Sequence, residues 1–175
     1  MPACLGLLRM QAVQDTAGAA LRAAFMADVM IDVLAPDDLS VVVQLYNQIF
    51  RPPSDVEHFE RRYLGRHNVV QMVARLDERA VGFVLGFELK PRVFYTWFYG
   101  VLGPNRRQGV ASQLMDALHS WCRQNEYETI RCECFNRQRG MLHLALSHEY
   151  DIIGIRWDTD HGDNLVLLQK MLVAG

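Results

Sequence analysis

The chain has 175 residues, half of them hydrophobic and 22% charged, with a formal net charge of −2. That length suits one domain with a real hydrophobic core, and the composition is ordinary for a globular protein. The charge balance makes no case for nucleic acid or an anionic membrane as partner, and the apolar runs are too short to span a bilayer.

Residues 1–29 are alanine-rich and read as an N-terminal extension, a weakly amphipathic helix or a loose segment, ahead of a domain over 30–175. The opening "MPACLGLLRM" has no basic stretch before its apolar patch, so it is not read as a signal peptide. Cys4, Cys122, Cys132 and Cys134 form no C-x-x-C pair and no zinc pattern, and His143 and His148 are five apart. Reduced thiols, a cytoplasmic location and no bound metal are expected.

"MIDVLAP" (30–36) predicts a strand. In "PDDLSVVVQLYNQIF" Pro36 suits a first helical position, and Leu39, Val42, Val43, Tyr46, Ile49 and Phe50 recur at helical spacing. "SDVE" (54–57) predicts a capping box for a second helix, which Gly65 ends. "NVVQMVARL" and "AVGFVLGFEL" predict a hairpin turning at "DERA", and "RVFYTWFYGVL" (92–102) is a further strand on which Tyr95, Trp97 and Tyr99 share a face. Val110, Ala111, Leu114, Met115, Leu118, Trp121 and Cys122 mark one stripe of a third helix. "ETIRCECF" is a strand, "RQRGMLHLALSHEY" a helix, and "IIGIRWD" with "LVLLQKML" a closing hairpin. The order β-α-α-β-β-β-α-β-α-β-β reads as a single α/β domain: a mixed, mostly antiparallel sheet of six to seven strands with helices on both faces.

One stretch points to chemistry. In "VLGPNRRQGVASQLM" (101–115) a strand ends, two arginines follow, and a glycine opens a helix. A helix N-terminus presents unpaired N–H groups and about half a positive charge, and glycine lets that backbone approach a ligand closely. With Arg106 and Arg107 these parts describe an anion site suited to a phosphate or pyrophosphate. The stretch matches neither G-x-x-x-x-G-K-[ST] nor G-x-G-x-x-G.

The hexapeptide Arg106-Arg107-Gln108-Gly109-Val110-Ala111 resembles motif A, [QR]-x-x-G-x-[GA], of the GCN5-related N-acetyltransferases. "FYTWFYGV" before it, "FNRQRGML" after it and the element order extend the resemblance over roughly residues 30–172. The resemblance implies acetyl-CoA as acyl donor, lying in a V between strands four and five, and a primary amine of a small molecule or protein as acceptor. Amides from Arg107 to Ser112, with Arg106, would hold the pyrophosphate. The backbone around Tyr99, Gly100 and Val101 would meet the pantetheine arm and polarise the thioester, and Asn136 would also contact the cofactor. Three departures stand out. Gly103, followed by Pro104, holds a place where the family often has proline, Ala145 occupies the place of the usual tyrosine acid, and Glu149 replaces a common glycine before Tyr150.

Direct attack requires a group that takes the amine proton. Glu88, Glu133 and, through water, Asp158 with Asp160 are the candidates, Glu88 ranking first and Tyr99 serving as acid or acceptor wall. The reading is an N-acetyltransferase acting in a ternary complex, monomeric or dimeric through the edge of the last hairpin. The alternatives are a catalytically silent CoA-binding sensor or interaction module and a phosphate-recognising domain without enzymatic activity.

Overall fold

The computed structural model describes residues 29–172. The expected N-terminal extension and Cys4 therefore lie outside the described residues. In chain order the elements are β1 (Met30–Leu34), α1 (Ser40–Ile49), α2 (Val56–Tyr63), β2 (Val70–Leu76), β3 (Arg79–Lys90), β4 (Val93–Val101), a 3-10 turn (Gly103–Asn105), α3 (Val110–Gln124), β5 (Thr129–Phe135), α4 (Arg139–Ser147), β6 (Asp151–Asp158) and β7 (Asp163–Met171). They build one seven-stranded sheet in the order β1-β2-β3-β4-β5-β7-β6. Every neighbour pair is antiparallel except β4 with β5.

Helices cover both faces, as the apolar stripes require. On one face α3 and α4 bury Leu114, Leu118, Leu142 and Ala145 against Val84, Phe94, Ile130 and Leu168 of the sheet. On the other, α1 and α2 bury Val42, Leu45 and Phe59 against Val73, Phe83 and Leu85. Tyr46 meets Phe59 and Phe98 edge-on, with ring centroids 5.3 and 5.0 Å apart. Such pairs add about 0.5–1.5 kcal/mol each beyond the area they bury.

Two helix starts fall later than the sequence predicts, for the same kind of reason. The Ala35 carbonyl accepts from Gln71 Nε2 (2.7 Å) and from the Asp38 N–H (3.0 Å), which holds residues 36–38 in a turn. Helix α1 therefore begins at Ser40 and Pro36 is not its first residue. Asn47 pairs with the backbone of Ser54, accepting from its N–H (2.7 Å) and donating to its carbonyl (2.9 Å). The cap of α2 moves to Asp55, whose carboxylate accepts from the His58 N–H at 2.9 Å. Helix α4 is shorter than its apolar run and stops at Ser147. Glu149 then adopts a left-handed φ of 62°, the conformation a glycine would take there freely, and Lys170 Nζ donates to its carboxylate at 2.9 Å.

Candidate active site

The parallel pair β4/β5 is joined over only four residue pairs, Val93–Thr129 to Thr96–Cys132. Beyond them β4 runs on to Val101, paired to β3, and β5 to Phe135, paired to β7. The two strands part because β4 bends. Leu85 pairs with Phe98 and Gly86 with Thr96, so Trp97 is one residue too many for the ladder. A bulge of this kind bends its strand and increases the local twist. A wedge opens after Thr96–Cys132, at the carboxyl ends of two parallel strands, where crevices in such sheets receive ligands.

The bulge also re-aims the aromatic face. Trp97 and Phe98 both pack toward α1 and α2, while Tyr99 packs toward α3. Tyr95, Trp97 and Tyr99 therefore do not share a face, contrary to the alternation of the sequence. The Tyr99 hydroxyl donates to the Ala111 carbonyl, and burial pushes its pKa well above the ordinary phenol value. Gly100 turns its bare Cα toward α1, where a Cβ would lie 3.1 Å from Ile49 and Phe50.

At the wide end of the wedge the chain leaves β4, makes the 3-10 turn and enters α3. Gly109 caps the helix in a left-handed conformation, φ 83°, and Arg107 just before it has φ 65°. No side chain caps this end and its first turn holds no acidic residue. The first intrahelical bond runs from the Gln113 N–H to the Gly109 carbonyl, so the N–H groups of Val110, Ala111 and Ser112 precede any helical acceptor. The Arg106 Nε donates to the Val101 carbonyl at 3.0 Å, tying the turn to the end of β4. Gln108 Nε2 donates to the Pro104 carbonyl at 3.0 Å. On the opposite wall, Asn136 follows β5, and its Oδ1 accepts from Arg139 at 3.0 Å. This uncapped helix start beside an open wedge fits a pyrophosphate joined to an extended arm.

The two carboxylates put forward from the sequence part company. Glu88 pairs across from Phe94 at the closed end of β4, and its Oε2 accepts from Tyr127 (2.8 Å) and Asn68 (3.0 Å). Tyr127 follows the C-terminus of α3. The fifteen-residue helix, about 22 Å long, therefore separates Glu88 from the Gly109 end. The structure does not bring Glu88 to the wedge. Glu133, one residue past the last β4/β5 pair, lies at the apex where the strands part. It lines a cleft of about 290 Å³ with Arg62, Arg66, Phe87, Tyr95 and Arg131. Arg156 stands 3.9 Å away, the one ion-pair partner of Glu133 among the described residues. Asp158 is engaged elsewhere: its Oδ1 holds the His161 N–H (3.0 Å) and Nδ1 (2.8 Å), and this hydrogen bonding lowers its pKa.

The fold brings Tyr95 into one cleft with Arg62 of α2 and Arg66 just after it, two of the arginines (with Arg51 and Arg61) that in sequence suit either a carboxylate-bearing acceptor or a solvated helix face. Burial, with a further push from Glu133, raises the Tyr95 phenol to about 12, so it remains a proton donor at neutral pH. The register of β4 on β5 sets Tyr95 beside Glu133, and α2 brings the arginines to them. Ala145 is fully buried under α4, and the neighbouring phenol, Tyr150, has its hydroxyl 2.9 Å from His119 Nε2. Cys122, Cys132 and Cys134 are free and buried, and burial raises all three thiols, Cys122 to about 12 and Cys134 to about 11. None is a thiolate nucleophile at neutral pH. Among the described residues no group of three or more His, Cys, Asp or Glu side chains is placed to hold a metal, and no helix is long and apolar enough to cross a membrane.

The architecture is thus a mixed sheet split between two parallel strands, with a glycine-opened helix at the mouth of the split. Residues 39–150 match the acetyltransferase (GNAT) family, and the chain belongs to that family, which uses acetyl-CoA as acyl donor. The fold is similar to that of the ribosomal-protein-S18-alanine N-acetyltransferase of Escherichia coli. The two share 16% identity over 85% of this chain and 97% of that one, with a TM-score of 0.73. Ard1 from Thermoplasma volcanium is 19% identical over 83% and 99% of the two chains, with a TM-score of 0.69. The protein yncA from Salmonella typhimurium, solved with its cofactor acetyl-CoA, is 12% identical over 85% and 96%, also at 0.69. No curated protein matches the sequence.

Proposed function

We propose that the protein is an N-acetyltransferase that moves the acetyl group of acetyl-CoA onto a primary amine by direct attack within a ternary complex. The observation that carries this reading is the wedge after Thr96–Cys132, with a carboxylate at its apex and an uncapped helix start at its mouth. Acetyl-CoA, when bound, supplies an activated thioester carbonyl. Arg106, Arg107 and the amides from Gln108 to Ser112 hold its diphosphate, since aligned N–H groups and a helix dipole favour negative charge. The free edge of β4 around Tyr99, Gly100 and Val101 lines up the arm, and Asn136 closes the other wall. A peptide N–H directed at developing negative charge on an oxygen lowers the barrier to acyl transfer.

Glu133 takes the proton of the incoming ammonium, directly or through one water, and Tyr95 donates a hydrogen bond in the same cleft. Glu88 is left a structural role, joining β3 to Asn68 and Tyr127. Glu133→Gln is expected to lower kcat by about 100-fold or more, the ordinary range for a general base, with acetyl-CoA affinity within twofold. Glu88→Gln is expected to keep kcat within twofold. Steady-state assays of thiol release with an amine panel check both. The reverse pattern would return Glu88 to the mechanism. The three buried free thiols suit a reducing compartment, and the proposed location is the cytoplasm.

A second reading, a CoA-binding protein without turnover, draws on Ala145 and on the engagement of the Tyr99 hydroxyl with Ala111. Saturable acetyl-CoA binding without acetylation of any amine would favour it.

A further inference from the structure

The cleft at the apex of the wedge carries an imbalance of charge that the transfer reading leaves unused. Three guanidiniums, those of Arg62, Arg66 and Arg131, line it against the single carboxylate of Glu133. Among the described residues Arg62 and Arg66 have no carboxylate partner, whereas their neighbour Arg61 meets Glu57 at 3.8 Å. Rings hold the two unpaired arginines in place. The Arg66 guanidinium lies 4.6 Å from the centroid of Phe87, and that of Arg62 lies 5.2 Å from Trp97 and 5.8 Å from Phe87. Stacking of this kind uses the flat face of a guanidinium and leaves its edge N–H groups free for a planar, bidentate acceptor. Arg131 is steadied separately by its Nε bond to Gln169 Oε1 at 2.8 Å.

We infer that the acceptor is an amine that also carries a carboxylate, with Arg62 and Arg66 gripping the carboxylate while Glu133 faces the ammonium. The inference rests on the transfer reading above and narrows its substrate class. The cleft presents both signs of charge, and a zwitterionic amine offers a group for each. A purely cationic amine would meet two unpaired arginines, a repulsion that disfavours the wrong partner. The cleft has the size of an amino acid or a short peptide end, and either source presents the same chemistry.

The test is acetylation of matched pairs by the full chain: free amino acids against their amides, and short peptides with Glu at the second position against the same peptides with Gln. An amine bearing a phosphate in place of the carboxylate is added. The acids are expected to exceed their amides in kcat/KM by at least about tenfold, the scale of a hydrogen-bonded charge pair. In the Arg62→Gln/Arg66→Gln double variant that ratio should fall toward one, through a loss of kcat/KM for the acids and no loss for the amides. Arg61→Gln should leave the ratio as it is. Which pair shows the larger ratio distinguishes a free amino acid from a peptide. Equal use of acids and amides, a ratio that survives the double variant, or a preference for the phosphate amine would each overturn the inference. Acetyl-CoA binding without acetylation of acids or amides alike would instead remove the transfer reading, and this inference with it.

Discussion

At the scale of single residues, His119 couples folding to acid. It is buried against Tyr150, and burial, with Lys170 and His148 adding to it, lowers its pKa from 6.5 to about 4. The folded chain keeps this imidazole neutral, while the unfolded chain protonates it near pH 6.5. Unfolding takes up a proton between those values, so stability is full above about pH 6.5 and declines as pH falls toward 4. The slope is at most about 1.4 kcal/mol per pH unit for one group. Urea denaturation at pH 7.0 and 5.0 should show the loss, and His119→Gln should flatten the dependence while lowering stability at both. An unchanged slope in that variant would place the titration elsewhere.

At the level of elements, the bend in β4 decides the site, and Gly86 permits it. A Cβ at Gly86 would sit 2.4 Å from Phe94 Cε1 and 2.6 Å from the Tyr95 carbonyl, directly opposite the bulge. Gly86→Ala is therefore expected to lose about 1–3 kcal/mol of stability from overpacking. It should also weaken acetyl-CoA binding, because Gly86 pairs with Thr96, the last residue of β4 before the wedge. Thermal denaturation and titration on the same sample check both. Full stability in Gly86→Ala would mean that the bend does not depend on this contact.

The same bend marks where the sequence stops being legible. Apolar alternation predicts all seven strands and the helix stripes predict the faces they cover. In "FYTWFYG", however, every side chain favours a strand, so no local signal announces that Trp97 is the extra residue and that Tyr99 changes face. Helix starts moved for a similar reason, since Gln71 and Asn47 claim backbone groups 36 and 7 residues away. Glu88 and Glu133 look alike in sequence. What separates them is strand register, which sets one at the closed end of β4 and the other at the apex of the wedge.

The whole molecule is a sheet between two helix layers, split where β4 and β5 part after Thr96–Cys132. The strand–turn–helix at 93–124 was legible from its glycine and arginines, because a helix that opens without a side-chain cap leaves its N–H groups for something else. The alliance of Arg62, Arg66, Tyr95 and Glu133 was not legible, because α2, β4 and β5 meet only in the folded chain.

The central claim is that this opening, with the start of α3, holds acetyl-CoA. The most direct measurement is calorimetric titration of the full chain and of Gly109→Asp with acetyl-CoA, with ATP in parallel. Aspartate tolerates the left-handed conformation better than most residues, so the variant should fold, yet it sets a negative charge where the diphosphate would lie. The natural chain is expected to bind saturably and one to one, more tightly to acetyl-CoA than to ATP, and a folded Gly109→Asp is expected to lose that binding. No binding by the natural chain, or equal binding by the variant, would contradict it.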